Sequence, residues 1–392
     1  MKKIKLAIVS SHPIQYNAPM FRLLAKSSVV EPRIFYTWSQ SNQTLFDKDF
    51  GREIKWDIPL LDGYDYEFTE NISANPGPGS YKGIDCPGLN KSIKKWGADA
   101  LLVFGWNYKA HLGAMRHFKG KIPVYFRGDS TLLDETGGWK QQLRRLVLKW
   151  VYHYADGAFY VGQNNKQYFL KHGFKEHQLT FAPHAIDIER FSTAVNEDKN
   201  IAENFRKDLG IQADDQVMLF VGKFEPKKNP LLLLDAFISL SLKNCHLVFT
   251  GNGQLEAEMK ERSKGNSNIH FMPFQNQSMM PHVYQMADVV ALPSQGPGET
   301  WGLVVNEAMA CSKAVLVSNK TGCAVDLVKN GDNGYIFGSG SYESCKNAIN
   351  NIMAGKQQTL EMGKKSFEII QAWSFQEIVA AIENKMKELK LN

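Results

Sequence analysis

The sequence predicts an α/β protein built from two doubly wound parallel sheets. Three observations carry this. Short apolar runs alternate with helix-length periodic segments from end to end, the pattern of parallel sheets covered by helices. The chain has 392 residues, enough for two substantial domains. A charged, weakly apolar segment, Ser192–Gln216, separates two such series and reads as the crossing between domains.

In the first series the strand candidates are Lys5–Val9, Pro32–Tyr36, Ala100–Phe104, Pro123–Phe126 and Gly157–Val161. Helical periodicity runs over Ala18–Lys26, Lys109–Phe118, Trp139–Tyr154 and Asn165–His172. Residues 71–90 form a long polar loop rich in Gly and Pro, of a length that in compact domains is functional or mobile. The second series supplies strands Val217–Val221, His246–Thr250, Asn268–Met272, Asp288–Leu292, Ala314–Val317 and Gly334–Phe337, with helices between them. The tail, Glu343–Met353 and then Gln357–Leu391, is helical. It is interrupted at Trp373-Ser374-Phe375, where Ser374 suits an N-cap. Two doubly wound domains would offer their ligand the crevices at their switch points, between the domains.

A net charge of +6 fits an anionic ligand or an acidic membrane surface, and without a long basic run or an RNA-binding signature it does not favour nucleic acid. Five scattered cysteines with no C-x-x-C pair argue against a disulfide framework or a zinc site and for a reducing cytoplasm. The basic start Met1–Lys5 is followed by an apolar stretch too short for a signal peptide, and no apolar run approaches the ~20 residues that span a bilayer.

Glu299 and Glu307, in the run SQGPGETWGLVVNEAMA, are the most informative pair. Glu299 lies in a Gly/Pro-rich loop and Glu307 in the apolar helix that begins near Gly302. A helix N-terminus presents unpaired N–H groups to a phosphate, and acids on either side suit hydroxyl groups, as in a sugar nucleotide. On spacing alone, Glu299 also reads as a dipole-complementing residue and Glu307 as an exposed polar one. The strand Val217–Val221 runs into Gly222 and then Lys223 and Lys228, at the strand's carboxyl end where open α/β sheets bind ligands. The two cations could neutralise a pyrophosphate leaving group, or be a solvated lysine-rich loop.

Other motifs carry less. Gly251-Asn252-Gly253 half-matches a dinucleotide fingerprint, with Glu256 at the third glycine, and serves equally as an efficient turn. Asp47-Lys48-Asp49 has the form of a metal-binding D-x-D but reads as surface polarity, and no metal site is expected. The histidines form no zinc-protease grouping, and no G-x-S-x-G occurs. The helix through residues 140–150 combines a cationic face with an apolar one bearing Trp150. It could press on an anionic membrane or pack on its own sheet.

The ordered set Gly222-Lys223, Lys228, Thr250–Gly253, Ala287-Asp288-Val289, Pro293-Ser294, Glu299–Leu303, Glu307–Ala310 and Gly331–Gly334 resembles the C-terminal domain of retaining glycosyltransferases of family 4. Ser11–Asn17 and Phe126–Ser130 resemble a subgroup of that family with an SHPIQY-type start. The resemblance implies the GT-B fold, two Rossmann-like domains facing across a cleft. The domains would be an acceptor-side domain at 1–195, a nucleotide-sugar domain at 196–372 and a last helix, 373–392, crossing back to the first domain. It implies that Glu307 holds the donor ribose, Glu299 the transferred sugar, and the N–H groups of Gly302 and Leu303 the diphosphate. Lys223 and Lys228 would neutralise that diphosphate, while Gly222, Thr300 and Trp301 line the donor and Phe274 borders the base. His12 and Arg127 fall on the acceptor side. No bound metal and no cofactor beyond the nucleotide sugar are implied, because the helix dipole and the cations supply the positive charge.

The chain departs from the family at several points. Lys223 replaces an arginine, Ser312 a glycine, and Gly322-Cys323 a glycine pair before an acid at Asp326. His184-Ala185 replaces an Asn-Gly before Asp187, and Ser10-Ser11-His12 stands where a double glycine is usual. Arg127-Gly128-Asp129 stands where many members carry a histidine, so Asp129 is the expected polar contact there. The expected activity is transfer of a sugar from a nucleotide sugar to a saccharide or glycolipid acceptor, in the cytoplasm or at the inner face of a membrane. A nucleotide-sugar hydrolase or epimerase, a non-catalytic nucleotide-sugar-binding partner and a dinucleotide-dependent oxidoreductase are the rivals.

Overall fold

Nearly every apolar run becomes a buried parallel strand. The structure is a computed structural model and describes residues 2–42, 45–47, 52–54, 57–197 and 199–389. It divides into two units: Met1–Leu45, Ile58–His184 and Phe375–Asn392 in unit one, Phe46–Asp57 and Ala185–Ser374 in unit two.

The strands of the first half are β1 (Ile4–Ser10), β2 (Val30–Tyr36), the short pair β3 (Leu45–Asp47) and β4 (Arg52–Ile54), β5 (Tyr66–Phe68), β6 (Ala100–Phe104), β7 (Val124–Arg127), β8 (Gly157–Tyr160) and β9 (Leu179–Phe181). Unit one folds around a seven-stranded sheet of order β5-β2-β1-β6-β7-β8-β9. Ile8 of β1 sits between Ile34 of β2 and Leu102 of β6, all fully buried, as expected of strands covered on both faces. The covering helices are α1 (Ala18–Ala25), α2 (Leu89–Trp96), α3 (Lys109–Phe118), α4 (Trp139–Tyr152) and α5 (Gln163–Lys171).

Unit two contains β10 (Gln216–Val221), β11 (Cys245–Thr250), β12 (Ile269–Met272), β13 (Val289–Leu292), β14 (Ala314–Ser318) and β15 (Gly334–Phe337), in the order β12-β11-β10-β13-β14-β15. Its helices are α6 (Ile188–Glu197), α7 (Lys199–Asp208), α8 (Pro230–Leu240), α9 (Glu256–Arg262), α10 (Met280–Gln285), α11 (Leu303–Ala310), α12 (Ala324–Leu327), α13 (Tyr342–Ile352) and α14 (Lys356–Ile370). The last helix, α15 (Phe375–Glu388), returns to unit one and packs on α1 and β9, with Ser27 Oγ donating to Glu383.

The structure corrects the interdomain segment and adds elements that the sequence reading lacked. The segment Ser192–Gln216 is no bare crossing: it holds the end of α6 and all of α7, and the units part between His184 and Ala185. Phe191, fully buried with its ring 5.9 Å from that of Tyr284, draws α6 into unit two. The 71–90 segment runs as a loop to the start of α2 at Leu89 and is organised by buried Asn71. Its Nδ2 donates to Gly83 O at 3.0 Å and its Oδ1 accepts from Ser73 N at 3.1 Å and Asp85 N at 2.9 Å. The short strands β5 and β9 and helix α2 escaped the sequence reading. Lys48 and Asp49 of the D-x-D triplet lie outside the described residues.

Candidate active site

The strand order of the second sheet reverses at β10, with β11 and β12 to one side and β13 to β15 to the other. Loops leaving the carboxyl ends of β10 and β13 diverge at such a point and leave room for a ligand. The first of these loops carries Lys228 and the second Glu299. They meet: Lys228 Nζ donates to Glu299 Oε2, and Ser294 Oγ donates to the same oxygen at 2.7 Å. The two side chains are 18% and 9% exposed, so the pair is largely out of water. Gln295 stitches the loops together, its backbone N–H donating to Lys227 O and its Nε2 to Pro226 O, both at 2.8 Å.

Glu307 lies one turn into α11 and is 3% exposed, which rules out the reading of it as a surface residue. Tyr284 OH donates to Glu307 Oε2 at 2.5 Å, orienting the carboxylate from α10. α11 begins immediately after Gly302, whose φ is +99°. A Cβ at Gly302 would lie 2.8 Å from Leu292 Cδ2 and 2.9 Å from Thr321 Cγ2, so only glycine turns the chain there. The N–H groups of Leu303 and Val304 precede the first bond of the helix, which Val305 N makes to Gly302 O at 2.9 Å.

The backbone between the two glutamates is pinned from β14's side. Gly322 N donates to Glu299 O at 3.1 Å and Cys323 N to Trp301 O at 2.9 Å. A Cβ on Gly322 would fall 1.8 Å from Thr300 O. Of the family's glycine pair, this contact needs the first, and Cys323 is accommodated. Trp301 turns inward: its Nε1 donates to Asn306 Oδ1 at 2.8 Å and its ring lies 5.3 Å from Trp373. Its side chain braces the loop from inside. Thr300 is half-buried with its carbonyl against Gly322.

Gly222 and Lys223 follow β10 directly, and Lys223 is half-buried in the same loop as Lys228. The Gly251-Asn252-Gly253 turn has a packing explanation. A Cβ on Gly251 would lie 2.1 Å from Gly222 O, and one on Gly253 would lie 2.6 Å from Phe224 O. These glycines let one strand-end loop rest on another. Beside them Gly251, Phe271, Pro273 and Phe274 border a pocket of about 340 Å³ at the carboxyl ends of β11 and β12.

The residues expected on the acceptor side gather at the carboxyl edge of the first sheet. His12 follows β1, its Nδ1 2.9 Å from Ser11 Oγ and its ring edge-on to Trp38, and burial holds its pKa down at about 4. Arg127 is buried at the end of β7, with Nη1 and Nη2 donating to Ala182 O at 2.8 Å and Pro183 O at 2.9 Å. Burial lowers it to about 10. Its guanidinium thus fastens the chain beyond β9. Asp129 remains half-exposed, with His184 Nε2 3.9 Å from its Oδ2.

Three contributors went unseen in the sequence: Tyr284, Asn306 and His111. Tyr284 sits in an apolar helix outside any motif, and Asn306 lies inside the SQGPGETWGLVVNEAMA run, where the glutamates carry the signal. His111 is fully buried, its Nδ1 donating to Gly105 O at 2.8 Å and its Nε2 accepting from Thr37 Oγ1 at 2.8 Å. Among the described residues no group of three or more His, Cys, Asp or Glu is placed to hold a metal.

Residues 201–368 match the family model described as Glycosyl transferases group 1. The chain is 32% identical over 232 residues to a lipopolysaccharide 1,2-N-acetylglucosaminetransferase of Salmonella typhimurium, a match covering 56% of this chain and 60% of that protein. It is 29% identical over 196 residues to a D-inositol 3-phosphate glycosyltransferase of Segniliparus rotundus, covering 48% and 42%. The chain thus spans at most about three-fifths of these relatives' length. Among solved structures it is similar to HepE of Anabaena in complex with UDP, with a TM-score of 0.72 and 17% identity over 99% of this chain and 100% of that one. The fold is GT-B. The structure of WaaG, a glycosyltransferase involved in lipopolysaccharide biosynthesis, is also similar, with a TM-score of 0.68 and 13% identity over 97% and 99%.

Proposed function

We propose that this chain is a retaining glycosyltransferase that moves a sugar from a nucleotide diphosphate sugar to a saccharide or lipid-linked acceptor in surface polysaccharide or glycolipid synthesis. One observation carries the proposal: Glu299, paired with Lys228, and Glu307, held by Tyr284, bracket the amino end of α11. The group 1 match and the lipopolysaccharide transferase relative support it.

In this reading the donor diphosphate takes the N–H groups at Gly302 and Leu303, with Lys223 and Lys228 against its charge. Glu307 accepts from the ribose hydroxyls and Glu299 from those of the sugar. Phe274 and the pocket beside it receive the base. The acceptor oxygen bonds to the anomeric carbon on the face that the diphosphate leaves. The carbon–oxygen bond to phosphate breaks, and the acceptor proton passes to the departing phosphate oxygen. The lysines and the helix end supply the charge stabilisation for which other transferases use a metal ion. On the acceptor side His12, neutral near pH 7, and Asp129 remain as polar contacts. A lipid-linked acceptor would bring the protein to the inner face of a membrane.

UDP occupies HepE and is the first nucleotide to test. A thermal-shift screen of UDP-, GDP-, ADP- and TDP-sugars identifies the donor, because a ligand that binds the native state raises the melting temperature. Product analysis with and without acceptors then separates transfer from hydrolysis or epimerisation, and the anomeric coupling of the product reports retention. Undiminished turnover after chelation is expected. Full turnover in both Glu299→Ala and Lys228→Ala would refute the assignment.

A further inference from the structure

Helix α4 has two apolar faces, and its own unit covers only one. At about 100° per residue, Leu148, Val151 and Tyr152 share the face buried in unit one. Trp139, Leu143, Leu146, Val147 and Trp150 fall on the opposite side within an arc of about 100°. They are 45% to 72% exposed. Lys140 borders this stripe on one side and Lys149 flanks the other beyond Gln142, while Arg144 falls past Val151; all three cations are exposed. The helix holds no acid, and its remaining cation, Arg145, pairs with Glu135 at 3.1 Å. Arg116 of α3 lies over the Trp150 ring at 5.6 Å and the Tyr154 ring at 5.8 Å, adding charge beside the stripe.

We infer that α4 docks unit one onto an anionic lipid bilayer, lying in the headgroup plane with the Trp139–Trp150 stripe turned toward the acyl chains. Tryptophan at both ends of an apolar stripe and long cationic side chains along both edges suit that interface, where indole rings and lysine stems straddle the boundary. The flanking charge selects the occupant. In a two-fold pairing of copies the same cations would face one another, whereas anionic headgroups neutralise them. The inference rests on the surface of unit one and is independent of the transfer chemistry.

The test is co-sedimentation of the full chain with vesicles of phosphatidylglycerol and phosphatidylcholine, beside vesicles of phosphatidylcholine alone. The protein is expected to bind the anionic vesicles and to be released by salt. Leu143→Glu plus Leu146→Glu should lower the partition coefficient about tenfold or more while leaving the melting temperature and any nucleotide-induced shift unchanged. Lys140→Gln plus Arg144→Gln should weaken anionic binding without introducing new charge on the stripe. Equal binding to both vesicle types, or undiminished binding by both double variants, overturns the inference. So does a dimer in sedimentation velocity that Leu143→Glu plus Leu146→Glu dissolves when vesicles capture nothing.

Discussion

Glu299 and Lys228 illustrate how one buried contact serves both folding and chemistry. Removing the lysine leaves a carboxylate 9% exposed with Ser294 as its remaining side-chain donor among the described residues, and breaking such a pair costs about 3 kcal/mol. Lys228→Ala is therefore expected to lower the melting temperature as well as turnover. Glu299→Gln keeps the shape and the Ser294 contact, and is expected to cut kcat/KM at least about a hundredfold with the fold intact. Steady-state kinetics beside a thermal melt separates the two effects. At Glu307, Tyr284→Phe removes one buried donor, at a cost of about 1 kcal/mol, and should weaken nucleotide-sugar binding more than it slows the chemical step. A calorimetric Kd equal to that of the unaltered protein would leave Tyr284 a packing residue. The acids and lysines were legible in the sequence because their order and spacing are unusual. Tyr284 was not, because a tyrosine in an apolar helix looks the same whether or not its hydroxyl meets a carboxylate.

Among the elements, α11 and its flanks show why glycines recur where they do. Gly302 turns the chain into the helix and Gly322 lets the 299–301 backbone lie flat against the β14–α12 connection. Gly322→Ala must displace Thr300, and is expected to cost more than about 2 kcal/mol and to depress donor binding with it. At the other end of α11, Ser312 occupies φ +57°, where a left-handed backbone favours glycine. Ser312→Gly should therefore raise stability by about 1 kcal/mol, read as an increased denaturation midpoint; a decreased midpoint would show that the hydroxyl matters more than the strain. The departure from the family glycine at 312 was visible in the sequence, but its backbone angle was not. The two short strands and α2 were missed for a related reason. Tyr66–Phe68 and Leu179–Phe181 are three-residue edge strands, too short for an alternating pattern to register.

For the whole molecule, the neutral buried histidines set the response to acid. Burial holds His12, His111 and His270 down at about 4 against an ordinary 6.5, with His246 adding to the effect at His270. The unfolded chain takes up a proton on each as the pH falls through 6.5, and the folded chain resists until about 4. Stability is therefore full above that upper limit and declines between the two values, by about 1.4 kcal/mol per pH unit for fully buried His111 and by less for the two that keep contact with water. Melting curves between about pH 7.5 and 5 are expected to show this decline, and a flat profile would contradict it. The division into two parallel-sheet units, and the candidacy of Lys223, Lys228, Glu299 and Glu307, were determined by the sequence alone. Apolar periodicity and the order of motifs are local properties that survive without coordinates. Only the tertiary structure decided that Glu307 is buried, that Arg127 and Trp301 point their polar atoms into the protein, that the units part at His184, and that one apolar face of α4 is left uncovered. Each depends on which distant segment packs against a residue, and a linear pattern does not encode that partner.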